Sequence, residues 1–169
     1  MLVYLSGAIE YSPDHGKKWR AEIAPFLRSL GHDVCDPAED KKKNLTDEEC
    51  ANFRAWKHSD LPRFQHAIRK IIAYDLDWIE QRTDYIVAFW DEHAAKGAGS
   101  QAELTLAHRK GIPVYLVTAL PVTHISGWIL ACASHLFPSF EELKRYLALR
   151  YSRTEGVSAL PSRQPAQTA

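Results

Sequence analysis

Carboxylates in the middle of this sequence have the chemistry and the surroundings that nucleophilic and acid–base reactions require. Glu103 follows the small-residue segment 97–102, Gly-Ala-Gly-Ser-Gln-Ala, and Asp75 and Asp91 precede it. A carboxylate can attack an electrophilic carbon, and a second carboxyl in another environment can donate a proton to the leaving group. Glu103 and Asp75 fit these two roles. A glutamate in the first helical turn also stabilises a helix simply through its interaction with the helix dipole. The spacing alone therefore leaves both a catalytic and a structural role open for Glu103.

The elements around Glu103 would bring it to a ligand. Residues 85–90 form an apolar run typical of a buried strand, 101–110 a helix, and 113–117 the next strand. Glycines at 97 and 99 let the backbone approach a ligand, and a helix N-terminus offers unpaired N–H groups. We therefore expect Glu103 in the first turn of this helix, at the sheet edge where open α/β folds bind ligands.

Asp75 lies in a different setting, late in a helix predicted over 61–82. Its neighbours Ile71, Ile72 and Leu76 belong to an apolar stripe with helical spacing. A carboxyl turned partly towards a core has a raised pKa and can act as a proton donor.

The chain as a whole alternates apolar strands with amphipathic helices. This pattern predicts one α/β domain over 1–151, with a Rossmann- or flavodoxin-like parallel sheet flanked by helices. Residues 152–169 are rich in Ser, Pro, Gln, Thr and Ala and are predicted to be a disordered tail. The other predicted elements are strands at 2–5 and 32–35, helices at 15–30 and 140–151, a capping box at Thr46–Glu49, and an irregular apolar segment at 121–134.

Composition narrows the classes of function. The 169 residues carry 21 basic and 21 acidic side chains, which gives no support for nucleic-acid binding by bulk charge. The run Lys41–Lys43 is offset by nearby acids and predicts a solvated loop. No apolar run reaches the ~20 residues of a membrane span. Three cysteines without paired spacing suggest a reducing compartment, and we expect a cytoplasmic protein.

Neither a metal nor a cofactor is expected. The eight histidines show no HxH or HExxH spacing, and no GxSxG segment marks a serine nucleophile.

Four segments of the chain carry a further signal through their order and spacing. They are residues 3–9 (VYLSGAI), 75–79 with 84–88 (DLDWI and DYIVA), 97–104 (GAGSQAEL) and 111–115 (GIPVY). Together they resemble the nucleoside 2-deoxyribosyltransferase family and its nucleoside 5′-monophosphate N-glycosidase relatives. The resemblance covers most of residues 1–118.

The resemblance implies cleavage or exchange of the N-glycosidic bond of a small-molecule nucleoside or nucleotide. Glu103 would attack C1′ of the sugar to form a glycosyl-enzyme, which a second base or water would resolve. Asp75 would assist protonation and contact the base. Tyr11 or Trp19 would stack on the base, although Trp19 also fits the core face of its helix. The implied binding positions are Gly7, Ala8, Tyr11, Asp91, Gly97, Gly99, Ser100 and Ser134.

Departures from the family pattern leave the substrate open. The pattern from Gly97 to Glu103 also resembles the GxGTxxE motif of lysine-decarboxylase-like phosphoribohydrolases. Glu10 stands where the monophosphate hydrolases have arginine, and its charge would repel a 5′-phosphate. Lys17, Lys18 and Arg20 are expected on the exposed face of their helix. We therefore expect an uncharged 5′ end.

The same family often completes its site with an asparagine from a neighbouring subunit, and no asparagine follows the segment 125–129 here. Ser134 or Ser126 would take that place, and the apolar segment 121–134 suits an interface, so a homo-oligomer is expected. A nucleoside 5′-monophosphate hydrolase and a non-catalytic nucleotide-binding protein are the alternatives.

Overall fold

In the described part of the chain, five short strands form one parallel sheet in the order β2-β1-β3-β4-β5. The structure is a computed structural model, and it describes residues 1–40 and 42–151. The strands are β1 Leu2–Gly7, β2 Asp33–Cys35, β3 Tyr85–Phe89, β4 Val114–Val117 and β5 His135–Phe137. The helices are α1 Lys17–Ser29, α2 Asp47–Ser59, α3 Leu61–Arg82, α4 Ala98–Lys110, α5 Gly127–Cys132 and α6 Phe140–Tyr151. The predicted α/β fold class is confirmed, and the strand order is the flavodoxin-like one.

The sheet has a core on each face because alternate side chains of every strand point to opposite sides. Val3 and Leu5 face a cluster formed with α1 and α6. Tyr4 faces the other cluster, where Leu104 of α4 and Ile79 of α3 are fully buried. The side chains that follow Tyr4 on this second face, towards the end of β1, therefore lie near α3 and α4.

Local signals explain several helix boundaries. α3 spans Leu61–Arg82 as predicted, without a break, because Pro62 lies in its first turn and needs no N–H acceptor there. The capping box is present, with Thr46 Oγ1 accepting from Glu49 N and Glu49 Oε2 from Thr46 N. Ser139 Oγ caps α6 by accepting from Glu142 N at 3.3 Å.

Other boundaries differ from the prediction. α4 begins at Ala98, so Gly99 and Ser100 lie inside the helix and Glu103 is in its second turn rather than its first. The segment predicted as irregular contains α5, and β5 was not predicted because its three residues are too short for a period to be read.

The carboxyl ends of β1 and β3 lie side by side, with Gly7 paired to Phe89. After β1 the chain continues to β2 on one side of the sheet, and after β3 it continues to β4 on the other side. Ligands of open α/β sheets bind at such a point, where the strand order reverses. No helix within 1–40 and 42–151 is long and apolar enough to cross a membrane. The predicted tail at 152–169 lies outside the described residues.

Candidate functional site

Glu103 is held by two hydroxyl groups of β1. Tyr4 Oη donates to Glu103 Oε1 at 3.0 Å, and Ser6 Oγ donates to Glu103 Oε2 at 2.6 Å. Tyr4 and Ser6 are fully buried, whereas Glu103 is partly exposed. A carboxylate has about four acceptor positions, so each oxygen keeps a lone pair for another partner. The arrangement fixes the orientation of the carboxylate and leaves a lone pair on each oxygen available.

Burial keeps the proton on the phenol of Tyr4. Desolvation raises the pKa of Tyr4 well above its usual value, and the negative charges of Glu103 and Asp75 raise it further. A phenol with a raised pKa stays neutral and continues to donate its hydrogen bond to Glu103.

Asp75 lies near Glu103 on the same side of the sheet. Lys43 Nζ donates to Asp75 Oδ2 at 2.8 Å, while Oδ1 is buried without a hydrogen-bond partner in the described chain. Burial raises the pKa of Asp75 to about 6, with Lys43 acting against the rise and Glu103 adding to it. A carboxyl of this kind exchanges a proton near neutral pH.

Lys43 corrects the prediction that residues 41–43 form a solvated loop. Its side chain is 10% exposed in its ion pair with Asp75, whereas the side chain of Lys42 is 74% exposed in its pair with Asp47. Of the two described lysines of this run, Lys43 is turned inward and Lys42 is exposed, which composition alone does not reveal.

Arg20 was predicted to be exposed, and this is wrong. Its guanidinium is buried and donates to the carbonyl oxygens of Gly7 at 3.0 Å, Gly16 at 3.0 Å and Ala8 at 3.4 Å. Its Nε lies 3.3 Å from Asp36 Oδ1. Arg20 faces inward because these carbonyls, at the start and end of segment 8–16, need donors away from water. Lys17 and Lys18 are exposed, as expected.

Packing against its neighbours requires that Gly7 have no side chain. A Cβ at this position would lie 3.0 Å from the ring of Trp19 and 3.1 Å from the carbonyl oxygen of Phe89. Trp19 is itself a core residue that stacks on Phe140 with ring centroids 5.7 Å apart. Trp19 is therefore buried core, and Tyr11 remains the aromatic candidate for a base.

Segment 8–16 and the beginning of α4 come together at the site edge. A Cβ on Gly97 would lie 3.5 Å from the ring of Tyr11, which is ordinary van der Waals contact, so the ring lies directly beside this residue. Tyr11 is 45% exposed. Gly99 faces open space, and Ser100 is buried in the first turn of α4.

Two further predicted positions lie elsewhere or have other partners. Asp91 Oδ1 accepts from the N–H groups of His93 and Ala94, so this oxygen caps the turn that follows β3. Ser134 Oγ accepts from Val114 N at 3.0 Å, at the start of β4. Ser134 therefore lies at the amino edge of the sheet in this chain, opposite Glu103, and the structure does not bring it to the other site residues.

Glu10 does not act as an isolated negative charge. Its Oε1 lies 2.7 Å from Lys57 Nζ of α2. The charge that was expected to repel a phosphate is therefore paired with a cation.

Sequence reasoning missed four residues of this site: Tyr4, Ser6, Arg20 and Lys43. Tyr4 and Ser6 carry a readable signal, because two polar side chains alternate with Val3 and Leu5 in a strand that is otherwise buried. Arg20 carries no such signal because it binds backbone carbonyl oxygens, which any residue type supplies, and Lys43 carries none because Asp75 lies 32 residues away. Within the part of the chain that the structure describes, no group of three His, Cys, Asp or Glu side chains could hold a metal ion.

No protein-family model and no curated protein sequence matches this chain. Several solved structures share its fold, among them the following two. One is a 2-deoxyribosyltransferase from Bacillus psychrosaccharolyticus, at 17% identity and TM-score 0.59 over 86% of this chain and 92% of that one. The other is the CMP N-glycosidase BcmB of Clostridium botulinum, at 16% identity and TM-score 0.52 over 89% and 99%. Both belong to the groups that the sequence segments resemble, which confirms the resemblance at the level of the fold.

Proposed function

We propose that the protein is an enzyme that cleaves or exchanges the N-glycosidic bond of a nucleoside or nucleotide, with Glu103 as nucleophile. The observation that carries this proposal is the Glu103 carboxylate, held through both oxygens by Tyr4 and Ser6 at the carboxyl edge of β1. The two proteins of similar fold act on deoxyribosyl groups and on CMP, and this supports the same bond as the target.

In the first step, a Glu103 oxygen attacks C1′ of the sugar. The C1′–N bond breaks, its electron pair goes to the base nitrogen, and a glycosyl ester forms on Glu103. Tyr4 and Ser6 already hold the carboxylate in one orientation, so little further orientational freedom is lost on reaching the transition state.

Asp75 supplies the proton that the departing base requires. With a pKa raised to about 6, a protonated fraction is present near neutral pH, unlike an ordinary aspartic acid. Oδ1 can make this transfer because it has no hydrogen-bond partner in the described residues.

In the second step, water or an acceptor base attacks C1′ of the glycosyl ester and releases Glu103 as carboxylate. The attacking group gives its proton to Asp75, which restores the starting state. Two displacements at one carbon return its original configuration, so the product retains the anomeric form of the substrate. Water makes the protein a hydrolase, and a base makes it a transferase.

The test is base release from a panel of nucleosides, deoxynucleosides and their 5′-monophosphates, with and without an acceptor base. Glu103→Gln keeps the size of the side chain and removes its charge, so turnover should fall by at least about 10³-fold. Glu92→Gln, an exposed glutamate in the turn after β3, is the matched control and should keep wild-type turnover.

Each arm of the panel distinguishes one reading. Product that appears only with an acceptor base indicates a transferase, and release in buffer alone indicates a hydrolase. Preference for monophosphates would overturn the expected uncharged 5′ end. Binding of nucleotides without any turnover by folded wild type would favour the non-catalytic binding protein.

A further inference from the structure

Lys43 and Asp75 form an ion pair that is largely shielded from water. Lys43 Nζ lies 2.8 Å from Asp75 Oδ2, and the two side chains are 10% and 14% exposed. Neighbouring charges on the same surface behave differently, since Lys42 and Asp47 are 74% and 90% exposed in their pair. Salt screens a buried pair much less than a surface pair, so the attraction between Lys43 and Asp75 is stronger than that between Lys42 and Asp47.

The segment that carries Lys43 is anchored to the same helix as Asp75. Asp40 Oδ1 accepts from the N–H groups of Lys42 at 3.1 Å and Lys43 at 3.3 Å. Tyr74, the residue before Asp75 on α3, donates its hydroxyl to Asp40. Two consecutive residues of α3 thus hold this segment: Tyr74 binds Asp40, and Asp75 binds the side chain of Lys43.

The backbone is unusual at this point. Lys43 has φ 37° and Asn44 has φ 64°, both in the left-handed region that residues with a side chain seldom adopt. Such a conformation persists when surrounding contacts determine it, and here the Asp40 and Asp75 contacts do so.

We propose that Lys43 is a positioning residue for Asp75, which binds Oδ2 and so leaves Oδ1 as the oxygen that exchanges a proton with the base. This inference rests on the proposed function for the role of Asp75 in turnover. The ion pair itself can be tested without turnover.

The groups around Asp75 come from each neighbouring element. Asp40 and Lys43 belong to the segment between β2 and α2, Cys35 ends β2, Tyr4 lies on β1 and Glu103 on α4. Lys43 is the cation of this set, and it lowers the pKa of Asp75 while burial, Glu103 and Asp40 raise it. Removal of Lys43 should therefore make Asp75 a weaker acid.

The first experiment follows the carboxyl carbon of Asp75 by NMR as a function of pH in the free protein. Lys43→Met keeps an unbranched apolar side chain and removes the charge, and we expect the Asp75 midpoint to rise by a pH unit or more, a tenfold change in its acid dissociation constant. Lys42→Met is the control on the adjacent exposed residue and should leave the midpoint unchanged. Lys43→Arg keeps the positive charge and should stay within half a unit of wild type.

The second experiment measures kcat/KM against pH for the same variants. Because the proton donor must be protonated, the alkaline limb should move upward in Lys43→Met together with the NMR midpoint, and Lys42→Met should follow wild type. An NMR midpoint that does not move in folded Lys43→Met overturns the inference. A moved midpoint with an unmoved alkaline limb also overturns it.

The two proposals fail in different ways. If wild type releases no base but the Asp75 midpoint depends on Lys43, the proposed function fails and the pairing stands. If Lys43→Met does not fold, the ammonium resonance of Lys43 in wild type gives the answer. It should shift with the same midpoint as the Asp75 carboxyl, and a resonance that ignores this midpoint overturns the inference.

Discussion

At the scale of single residues, the site consists of two carboxylates with different partners: neutral hydroxyl groups bind one, and a buried cation binds the other. Tyr4 and Ser6 donate to Glu103, which keeps it oriented, whereas Lys43 binds one oxygen of Asp75 and leaves the other without a partner in the described chain. Two carboxyl groups in such different settings are able to divide nucleophilic and proton-donating roles.

Tyr4→Phe tests the orientation of Glu103. The ring keeps its packing but loses a hydrogen bond to a charged group, which is worth about 1.5–3 kcal/mol. We expect kcat/KM to fall about 10- to 100-fold. Tyr85→Phe is the matched control, since the hydroxyl of Tyr85 is buried, lies 2.8 Å from His32 Nδ1 and is on the other face of the sheet. Equal losses of activity in both variants would contradict the role of Tyr4.

Asp75→Asn tests the proton donor through the pH profile. Burial raises the pKa of Asp75 to about 6, so activity that needs its protonated form should decline as the pH rises above about 6. The Asn variant should be slow and should lose this alkaline limb, because an amide does not titrate. Asp77→Asn, two residues later on an exposed side of α3, should keep the wild-type profile. Persistence of the limb in Asp75→Asn would assign it to another group.

At the scale of elements, the segment 8–16 between β1 and α1 is held from its two ends. Arg20 of α1 binds the carbonyl oxygens of Gly7, Ala8 and Gly16, and this fixes the segment that carries Tyr11. Gly16 has φ 68°, and a Cβ there would lie 2.1 Å from Arg20 Nη1 and 2.4 Å from the oxygen of Ala8.

Gly16→Ala therefore combines two costs that a second glycine separates. Gly111 also has φ 68°, but a Cβ there meets nothing within 4 Å. Alanine in the left-handed region costs about 1–2 kcal/mol, and this should be the whole loss in Gly111→Ala. Gly16→Ala should lose a further ~1–3 kcal/mol from crowding. Urea unfolding measures both, and equal losses would show that the segment moves aside without cost.

Elements with strong local signals were predictable from the sequence. Helix α3 occupies the predicted residues 61–82, and the capping box at Thr46 opens α2, because caps and apolar stripes are written in nearby residues. The start of α4 was misplaced because small residues at 97–100 fit both a loop and a first turn.

The site itself was predictable only in part. Glu103 and Asp75 were predicted from a glycine-rich motif and from an apolar stripe on a helix. Tyr4 and Ser6 were not predicted, although they alternate with apolar residues along β1. Lys43 lies 32 residues from Asp75, and its ion pair is decided by how the β2–α2 segment folds back on α3. Contacts of this kind have no local pattern, since charge runs are usually solvated.

At the scale of the whole molecule, a buried carboxyl costs stability. The pKa of Asp75 is about 6 in the fold against an ordinary value of 3.8. Folding therefore favours the protonated form of Asp75. The stability that this form contributes is fully present below pH ~4 and is lost as the pH rises through about 6.

Asp75→Asn should remove this dependence. Between pH ~4 and ~7 the free energy of unfolding of wild type should fall relative to that of the variant by on the order of 3 kcal/mol. The loss of the partner of Lys43 adds an offset that does not depend on pH in this range, so the slope is the quantity to compare. Urea unfolding at a series of pH values measures it, and parallel curves would contradict the raised pKa.

Assembly of the chain into a homo-oligomer stays a prediction. Trp128 of α5, in the apolar segment expected at an interface, is 66% exposed and donates its indole N–H to Thr105 at 2.8 Å. If this surface joins two copies, Trp128→Glu should convert an oligomer to a monomer in light scattering. A monomeric wild type would contradict the prediction.

The proposed covalent role of Glu103 can be tested by intact-mass spectrometry of the protein during incubation with a nucleoside. The protein is incubated with a nucleoside whose 2′-fluorine slows the second step, and peptides are then mapped. We expect a mass increase of one sugar, located on Glu103 and missing in Glu103→Gln. Turnover of the same nucleoside with an adduct on another residue, or with no adduct at any time, would contradict it.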